Sequence, residues 1–485
     1  MIKHLITISS LLILTTSPIL ADDASTDDSR GITTTEVSEK SEVSDDAETR
    51  INPNIGAPGT SQSVNASKYP FLNLSANHIR MNGADWSGIV EKINTLSDSG
   101  RLSVVHIGDS HIQPDGNTGR VRKLLQADYG SAGRGLMTPY RLAGTNNPLD
   151  YKITSTSPLL TSTLMRMPWP TTMGFTGISV SPQTANSQFT IKSPEEFDRL
   201  NVYASTSPDV TSVTSDGVKI DYSSEKTDYG CTIAFDKPVA GVTVNLHAPD
   251  ICVYGFDARR NNGGILYHSI GNNGATFGSY SLIGNMGRHL KPLQPDLVIL
   301  ALGTNEAFGR TTGAALQNSI DRLVKDIHNH NPEAQILLIT PSECQRSVYT
   351  RRRKRRRRVR TYQVNTNVAK MRDAIIQYGE ENRIAVNDFY QVAGGTGASA
   401  KWLQNKLLSG DRIHRTWAGY YLEGELIYSA LINALMNEGL SEPPHSLNLR
   451  QETPPTKVSE NIKKASHKNY KKRTSKKKKK SRRRR

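Results

Sequence analysis

The chain has 485 residues, 36% of them hydrophobic, and carries a formal charge of +16. Its ends, 1–68 and 441–485, lack the apolar periodicity of packed elements, which leaves 372 of the 485 residues for folded structure, room for about two domains, and excludes disorder throughout. Residues 351–360 and 463–485 hold 24 of the 61 Lys/Arg, and setting them aside turns +16 into −8, so a mildly acidic body bears basic appendages. With Tyr470 as their one aromatic residue, these tracts lack the interleaved stacking rings of a nucleic-acid surface, and no specific nucleic acid is expected as a partner.

In chain order, Met1–Ala21 has Lys3 and His4, an apolar stretch Leu5–Leu14, and Ser17–Ala21 before an acidic segment. This pattern predicts a secretory signal peptide, because the stretch is too short to span a bilayer. A periplasmic or secreted protein without a transmembrane segment is the expectation. Residues 22–68, rich in Ser, Thr, Asp and Glu, read as a disordered acidic linker that cannot bury enough apolar surface to offset chain entropy.

From Tyr69 the pattern changes. A helix is predicted around Trp86–Leu96, followed by a buried strand Leu102–Ile107. After residue 262, strands are predicted at Ile265–Ile270, Asp296–Leu302, Ile336–Thr340 and Ile384–Val386, with helices at about 313–329, 365–381 and 416–437. Short apolar strands alternating with amphipathic helices imply an α/β fold, a parallel sheet covered on both faces whose ligands sit at the strands' carboxyl ends. Between them, 140–262 is rich in Thr, Ser, Val and Tyr, with short alternating runs such as Lys219–Tyr222 and Thr232–Phe235, which predicts an inserted β-sandwich-like module. The organisation is thus a first α/β part at 69–139, the insert at 140–262, a second α/β part at 263–440 with a basic loop at 346–360, and a disordered basic tail at 441–485. Of the three cysteines, Cys231 and Cys252 lie in neighbouring strand-like runs, and both a disulfide and free buried thiols are open to them. No spacing resembles a zinc site, and no metal or other cofactor is expected.

Gly108-Asp109-Ser110 follows the first parallel strand directly, placing a serine at its carboxyl end where a helix would start. Serine is a poor nucleophile until a base takes its proton. Asp411-Arg412-Ile413-His414, just before the last helix, supplies a base and an acid on one turn, spaced so that the aspartate reaches the imidazole Nδ1 while Nε2 faces Ser110. An oxyanion needs donors, and two more strands end in Gly271-Asn272-Asn273-Gly274 and Gly303-Thr304-Asn305-Glu306. The N–H groups of Ser110 and Gly274 and the side-chain amide of Asn305 are the candidate oxyanion donors. Neighbouring residues read differently: His106 as a hydrogen-bonded core residue, Asp109 as fixing the turn, Glu306 as bracing the loop of Asn305, and His111 either as a substrate contact or as a structural neighbour.

These four blocks, in order, resemble the SGNH (GDSL-type) hydrolases over roughly 95–140 and 262–440. The resemblance implies Ser110 as nucleophile, His414 as base, Asp411 as orienting acid, and Ser110, Gly274 and Asn305 as oxyanion donors, in a flavodoxin-like three-layer domain. Gly-Asp-Ser-His followed by a β-rich insert is further similar to the two-module peptidoglycan O-acetylesterases. The expectation is an exported serine esterase that removes acyl groups, foremost O-acetyl, from a cell-envelope polysaccharide, the insert holding the polymer through exposed aromatics. Acyl transfer or lipase-type acyl hydrolysis would use the same serine, whereas a noncatalytic wall-binding protein would be expected to have lost it. The basic loop and tail depart from the family's pattern, and an anionic envelope polymer is the partner their charge suits.

Overall fold

The computed structural model describes residues 68–96, 99–351 and 358–441. The expected signal peptide, nearly all of the linker and tail, and the centre of the arginine run lie outside the described residues. Among these, no helix is long and apolar enough to cross a membrane.

Every apolar run read from the sequence of the α/β part forms a strand. β1 (Ile79–Arg80), β2 (Arg101–Gly108), β3 (Gly264–Gly271), β4 (Leu297–Ala301), β5 (Gln335–Ile339) and β6 (Ala385–Asn387) make one sheet in the order β1-β6-β5-β4-β2-β3. Only the short edge strand β1 is antiparallel. The five parallel strands, counted from β2, run 2-1-3-4-5, the doubly wound order whose switch point lies between β2 and β4.

Alternation along the strands sorts the core into two layers. Val105, Ile107, Ile270, Val298 and Leu338 face one cluster with the helices Gly313–His330 and Asn367–Asn382. Leu102, Val104, Ile265, Ile299 and Leu337 face another with Gly116–Tyr129 and Trp417–Asn437. Gly313–His330 shows why such segments are helical: the Thr312 side chain accepts from the Ala315 N–H, and Leu316, Ile320, Leu323, Val324 and Ile327 form one apolar stripe.

β2 pairs residue for residue with β3, Gly108 opposite Gly271, and on its other side with β4, Gly108 opposite Ala301. Three carboxyl ends therefore lie level at the switch point. Both glycines are required by close approach: a Cβ on Gly108 would stand 2.3 Å from Ile112 Cγ1, and one on Gly271 2.2 Å from the Gln113 backbone N. The chain after β2 folds back over the strand ends.

The β-rich insert has its own apolar core, with Phe189, Phe197, Val244 and Phe256 among its buried members. It differs from the predicted sandwich in that hydrogen bonds join its strands into one ten-stranded sheet. Two strands are the cause: Asn186–Ala204 and Gly230–His247, of 19 and 18 residues, pair along their length with register shifts near Val239, and strands this long can pass from one layer to another through such irregularities. Of the short runs seen in the sequence, Thr232–Phe235 is a fragment of the second, whereas Lys219–Tyr222 straddles the ends of two short strands, Val218–Lys219 and Tyr222–Thr227. The insert's sheet also begins earlier than residue 140, since Gly135–Met137 pairs with Val253–Arg259. Its entry and exit meet: the Ala132 N–H donates to Ile265 O at 3.2 Å, and the Arg260 N–H to Ala132 O at 2.9 Å.

A buried ionic cluster ties insert to helix. Arg134, 1% exposed, donates to Asp115 Oδ2 at 2.6 Å and to Asp150 Oδ2 at 3.0 Å, while Arg122 donates to Asp115 Oδ1 at 2.9 Å. Burial alone would push the Asp115 carboxyl up, but the two guanidinium groups outweigh it and hold the carboxyl below its ordinary range. Cys231 and Cys252 are free and buried, which settles the choice left open for them.

The basic loop is the largest departure from the sequence reading. Its flanks, Gln345–Arg351 and Arg358–Val364, pair as an antiparallel hairpin with Gln345 opposite Val364. Alternating Val348, Thr350, Val359 and Thr361 supply strand propensity that the surrounding charge obscured.

Candidate active site

Ser110 lies two residues beyond β2, in a turn whose Ile112 and Gln113 N–H groups both donate to Asp109 O. The helix expected at this point starts later, at Gly116. Asp109, 1% exposed, fixes the turn by accepting the His111 N–H at 2.9 Å.

The turn at 409–414 brings the base to the serine. Asp411 Oδ1 accepts from Ser409 Oγ at 2.5 Å and from the N–H groups of Ile413 and His414 at 2.9 and 3.0 Å. Its other oxygen lies 2.7 Å from His414 Nδ1, which assigns the proton to that nitrogen and leaves Nε2 to accept from Ser110 Oγ at 2.8 Å. Ser110, His414 and Asp411, from two distant points of the sequence, thus form one hydrogen-bonded chain.

Burial opposes charge on both ionisable members, but their pairing wins. The Asp411 carboxyl is held well below its usual range by His414, Ser409 and the Ile413 N–H. His414 is raised above 6.5, since the hydrogen bond and charge of Asp411, helped by Asp109, outweigh burial and the Arg415 cation. His111 behaves oppositely: burial and the cations of His414 and Arg415 hold it well below 6.5, so its ring stays neutral, 5.3 Å centroid to centroid from that of His414.

The candidate donors converge at the same strand ends. The N–H groups of Ser110 and Gly274 have no acceptor among the described residues. Gly274 has φ +81°, a left-handed conformation suited to glycine. The Asn305 amide is engaged, donating to Ala275 O at 2.9 Å and to Asp109 Oδ2 at 3.2 Å. The second contact is long for a charge-assisted bond, so that N–H is the one a stronger acceptor in the cleft would recruit. Glu306 braces this loop as expected, its Oε1 accepting the Phe277 N–H at 2.8 Å. Burial pushes Asp109 up to about 6 and Glu306 up to about 7, against the backbone N–H bonds each accepts. His106 is a core residue, 2.7 Å from Tyr267 OH, with burial pushing it down to about 3.

Several supporting residues gave no sequence signal. Gln113 Oε1 accepts the Asn273 N–H at 2.8 Å, and its amide donates to Thr145 and Asn146, so insert and donor loop are tied through one side chain. Tyr280 donates to Gly108 O at 2.6 Å, and Tyr140 to Gly271 O at 2.7 Å. A tyrosine serving a strand end looks, in sequence, like any core aromatic. On the rim, Met165 of the insert stands beside Gly274, where a Cβ would lie 3.7 Å from its Cγ. The insert's exposed large apolar side chains among the described residues are Leu149, Leu160, Met165, Met167 and Val218, and of its aromatics Trp169, Tyr222 and Tyr229 are partly exposed rather than fully so.

Residues 243–422 match the model of the GDSL-like lipase/acylhydrolase family. A structure described as a peptidoglycan O-acetylesterase in action, at 5 min, is similar over 74% of this chain and 99% of its own, with a TM-score of 0.60 and 20% identity, a likeness of fold. Lower in similarity are a lipase/acylhydrolase from Enterococcus faecalis (38% of this chain, 80% of its own, TM-score 0.26, 19% identity) and a carbohydrate esterase family 3 from Talaromyces cellulolyticus (35%, 73%, 0.26, 16%). No curated protein matches.

Proposed function

We propose that this chain, an SGNH-type serine esterase carrying a GDSL-like acylhydrolase domain, is exported and removes O-acetyl groups from a cell-envelope polysaccharide such as peptidoglycan. The observation that carries the reading is the chain from Ser110 Oγ through His414 to Asp411, standing beside two free N–H groups at the switch point of the sheet. The likeness of fold to a peptidoglycan O-acetylesterase, spanning nearly all of that protein, supports the choice of polymer.

In the proposed reaction, Ser110 Oγ attacks the acetyl carbonyl carbon as its proton passes to His414 Nε2. The negative oxygen that forms is met by the N–H groups of Ser110 and Gly274 and by the Asn305 amide, drawn from Asp109. Collapse breaks the ester bond, and the sugar oxygen leaves with the proton from His414. Water, deprotonated by the same nitrogen, then attacks the acyl-enzyme and releases acetate. Asp411 keeps its charge throughout and stabilises the imidazolium. Acetate release from acetylated glycan by the purified chain tests the reading. Transfer of the acetyl group to added glycan acceptor without free acetate would make it a transferase, and inactivity towards every acetyl ester would end the assignment.

A pH profile follows from the site. His414 must be neutral to accept the proton, and Asp411 raises its pKa, so kcat/KM should climb with pH through a midpoint above about 6.5. Asp411→Asn should lower both activity and midpoint. A midpoint that ignores this substitution would assign the limb to another group.

For the basic tract we propose recognition of an anionic envelope polymer, supported by the docking of its hairpin flanks against the turn of His414: the Gln345 N–H donates to Arg412 O at 3.0 Å. Replacing the six basic residues 352–357 with serine should leave hydrolysis of a small neutral ester unchanged, weaken action on the polymer, and flatten its salt dependence, since screening acts on the charges removed. Identical salt curves would leave the tract as solvated charge.

A further inference from the structure

The turn that presents Asp411 and His414 contains a residue in an unusual backbone state. Arg412 has φ +65°, the left-handed region where a side chain with a Cβ is disfavoured and which persists only when the surroundings fix it. Within the turn the Arg412 N–H donates to Ser409 O at 3.0 Å, the Ser409 N–H donates to His414 O at 2.7 Å, and Asp411 accepts the Ile413 and His414 N–H groups, but none of these holds the Arg412 carbonyl or side chain. The restraints on those come from outside. The Gln345 N–H donates to Arg412 O at 3.0 Å, Arg412 Nη1 donates to Gln345 Oε1 at 2.8 Å, and the guanidinium lies 3.9 Å from the centroid of the Tyr362 ring. Gln345 and Tyr362 belong to the two opposed strands of the basic hairpin. The hairpin therefore grips Arg412 by its carbonyl, its fork and its flat face, and Arg412 is the link between Asp411 and Ile413, whose N–H defines the Asp411 carboxylate.

We infer that the hairpin is a clamp on the acid–base turn, with Tyr362 and Gln345 acting as positioning residues through Arg412 to hold Asp411 and His414 in line with Ser110. The inference rests on the proposed serine mechanism and adds to it residues that touch neither substrate nor reacting atoms. The stack supplies what a hydrogen bond cannot: a guanidinium over an aromatic face is held in its plane while remaining accessible to water. Arg360, whose guanidinium carbon lies 5.1 Å from the Tyr362 centroid, places a second cation against the same ring. Any contact that draws the hairpin away from the body would pull on the turn carrying the base.

Tyr362 is half-exposed, so its replacement tests the clamp without emptying a core. On the full chain with a chromogenic acetyl ester, Tyr362→Ala should lower kcat by about ten-fold with little change in KM, and should move the acid limb of kcat/KM towards lower pH as the Asp411–His414 pairing loosens. Tyr362→Phe, which keeps the ring, should retain most of the turnover and the wild-type limb. Arg412→Ala, which also removes the bond to Gln345, should cost at least as much as Tyr362→Ala, and the double variant should be little worse than Arg412→Ala alone, because the stack is already lost there. Wild-type kcat and pH profile in Tyr362→Ala, or losses that multiply in the double variant, would overturn the clamp. Failure of the underlying mechanism looks different: the wild-type chain would be inactive, or Ser110→Ala as active as wild type, whatever happens at Tyr362.

Discussion

Ser110→Ala is expected to lower turnover of an acetyl ester by roughly three or more orders of magnitude while leaving the thermal transition in place, and His414→Ala to do about the same. The size follows from the geometry. Ser110 Oγ has one base, His414 Nε2 at 2.8 Å, and the imidazole is committed to that direction because Asp411 holds its opposite nitrogen at 2.7 Å. Removing either partner stops formation of the acyl-enzyme, so the two losses should not add in the double variant. The free N–H groups would remain and stabilise attack by water from the cleft, which is why residual activity above the uncatalysed rate is expected. Neither side chain belongs to the apolar core, so the fold survives. Activity that persists in Ser110→Ala would overturn the nucleophile assignment.

The second large effect concerns Asn305. Asn305→Ala should cost about 3 kcal/mol of barrier, roughly a hundred-fold in kcat, with a smaller change in KM, because its amide serves charge that develops only in the transition state. The resting contacts sharpen the expectation. With one N–H on Ala275 O at 2.9 Å and the other on Asp109 at 3.2 Å, the proposed reaction would exchange the weaker partner for the oxyanion. Asp109→Asn, which removes the competing charge, should therefore alter kcat far less than Asn305→Ala does. A rise in KM alone for Asn305→Ala would make the residue a ground-state contact.

The sheet and the site blocks were legible because local chemistry and global fold agree there. Ile299 and Leu300 are apolar to both sides, as a doubly covered strand requires, and each block follows such a run. Ser110, Gly274 and Asn305 could be named because a strand's end is visible in sequence even when the strands' spatial order is not. The hairpin at 345–364 was hidden for the opposite reason, as nine basic residues in ten suppress a β signal carried by Val348, Tyr349 and Thr361. Buried charge was equally illegible. No sequence signal marks Arg134 and Asp115 as interior residues, yet both are buried, where each is tolerated because the other is there. The insert was recognised by composition, but the span of its two long strands depends on bulges that no periodicity records.

The meeting of Ala132 with Ile265 and Arg260 bears on how such a chain can change over generations. To the catalytic sheet, everything between those residues occupies the place of a short connection from the helix Gly116–Tyr129 into β3, because its two ends leave and return at one point. Domains whose termini lie together can be exchanged, lengthened or lost without altering the host's topology. The residues that align Ser110 with His414 lie outside that stretch, whereas Met165 and Asn146, which border the donor loop, lie within it. On the proposed reading, reaction and recognition would then be written on separable portions of the gene, and a lineage could replace what the insert borders while inheriting the Ser110–His414–Asp411 chain unchanged.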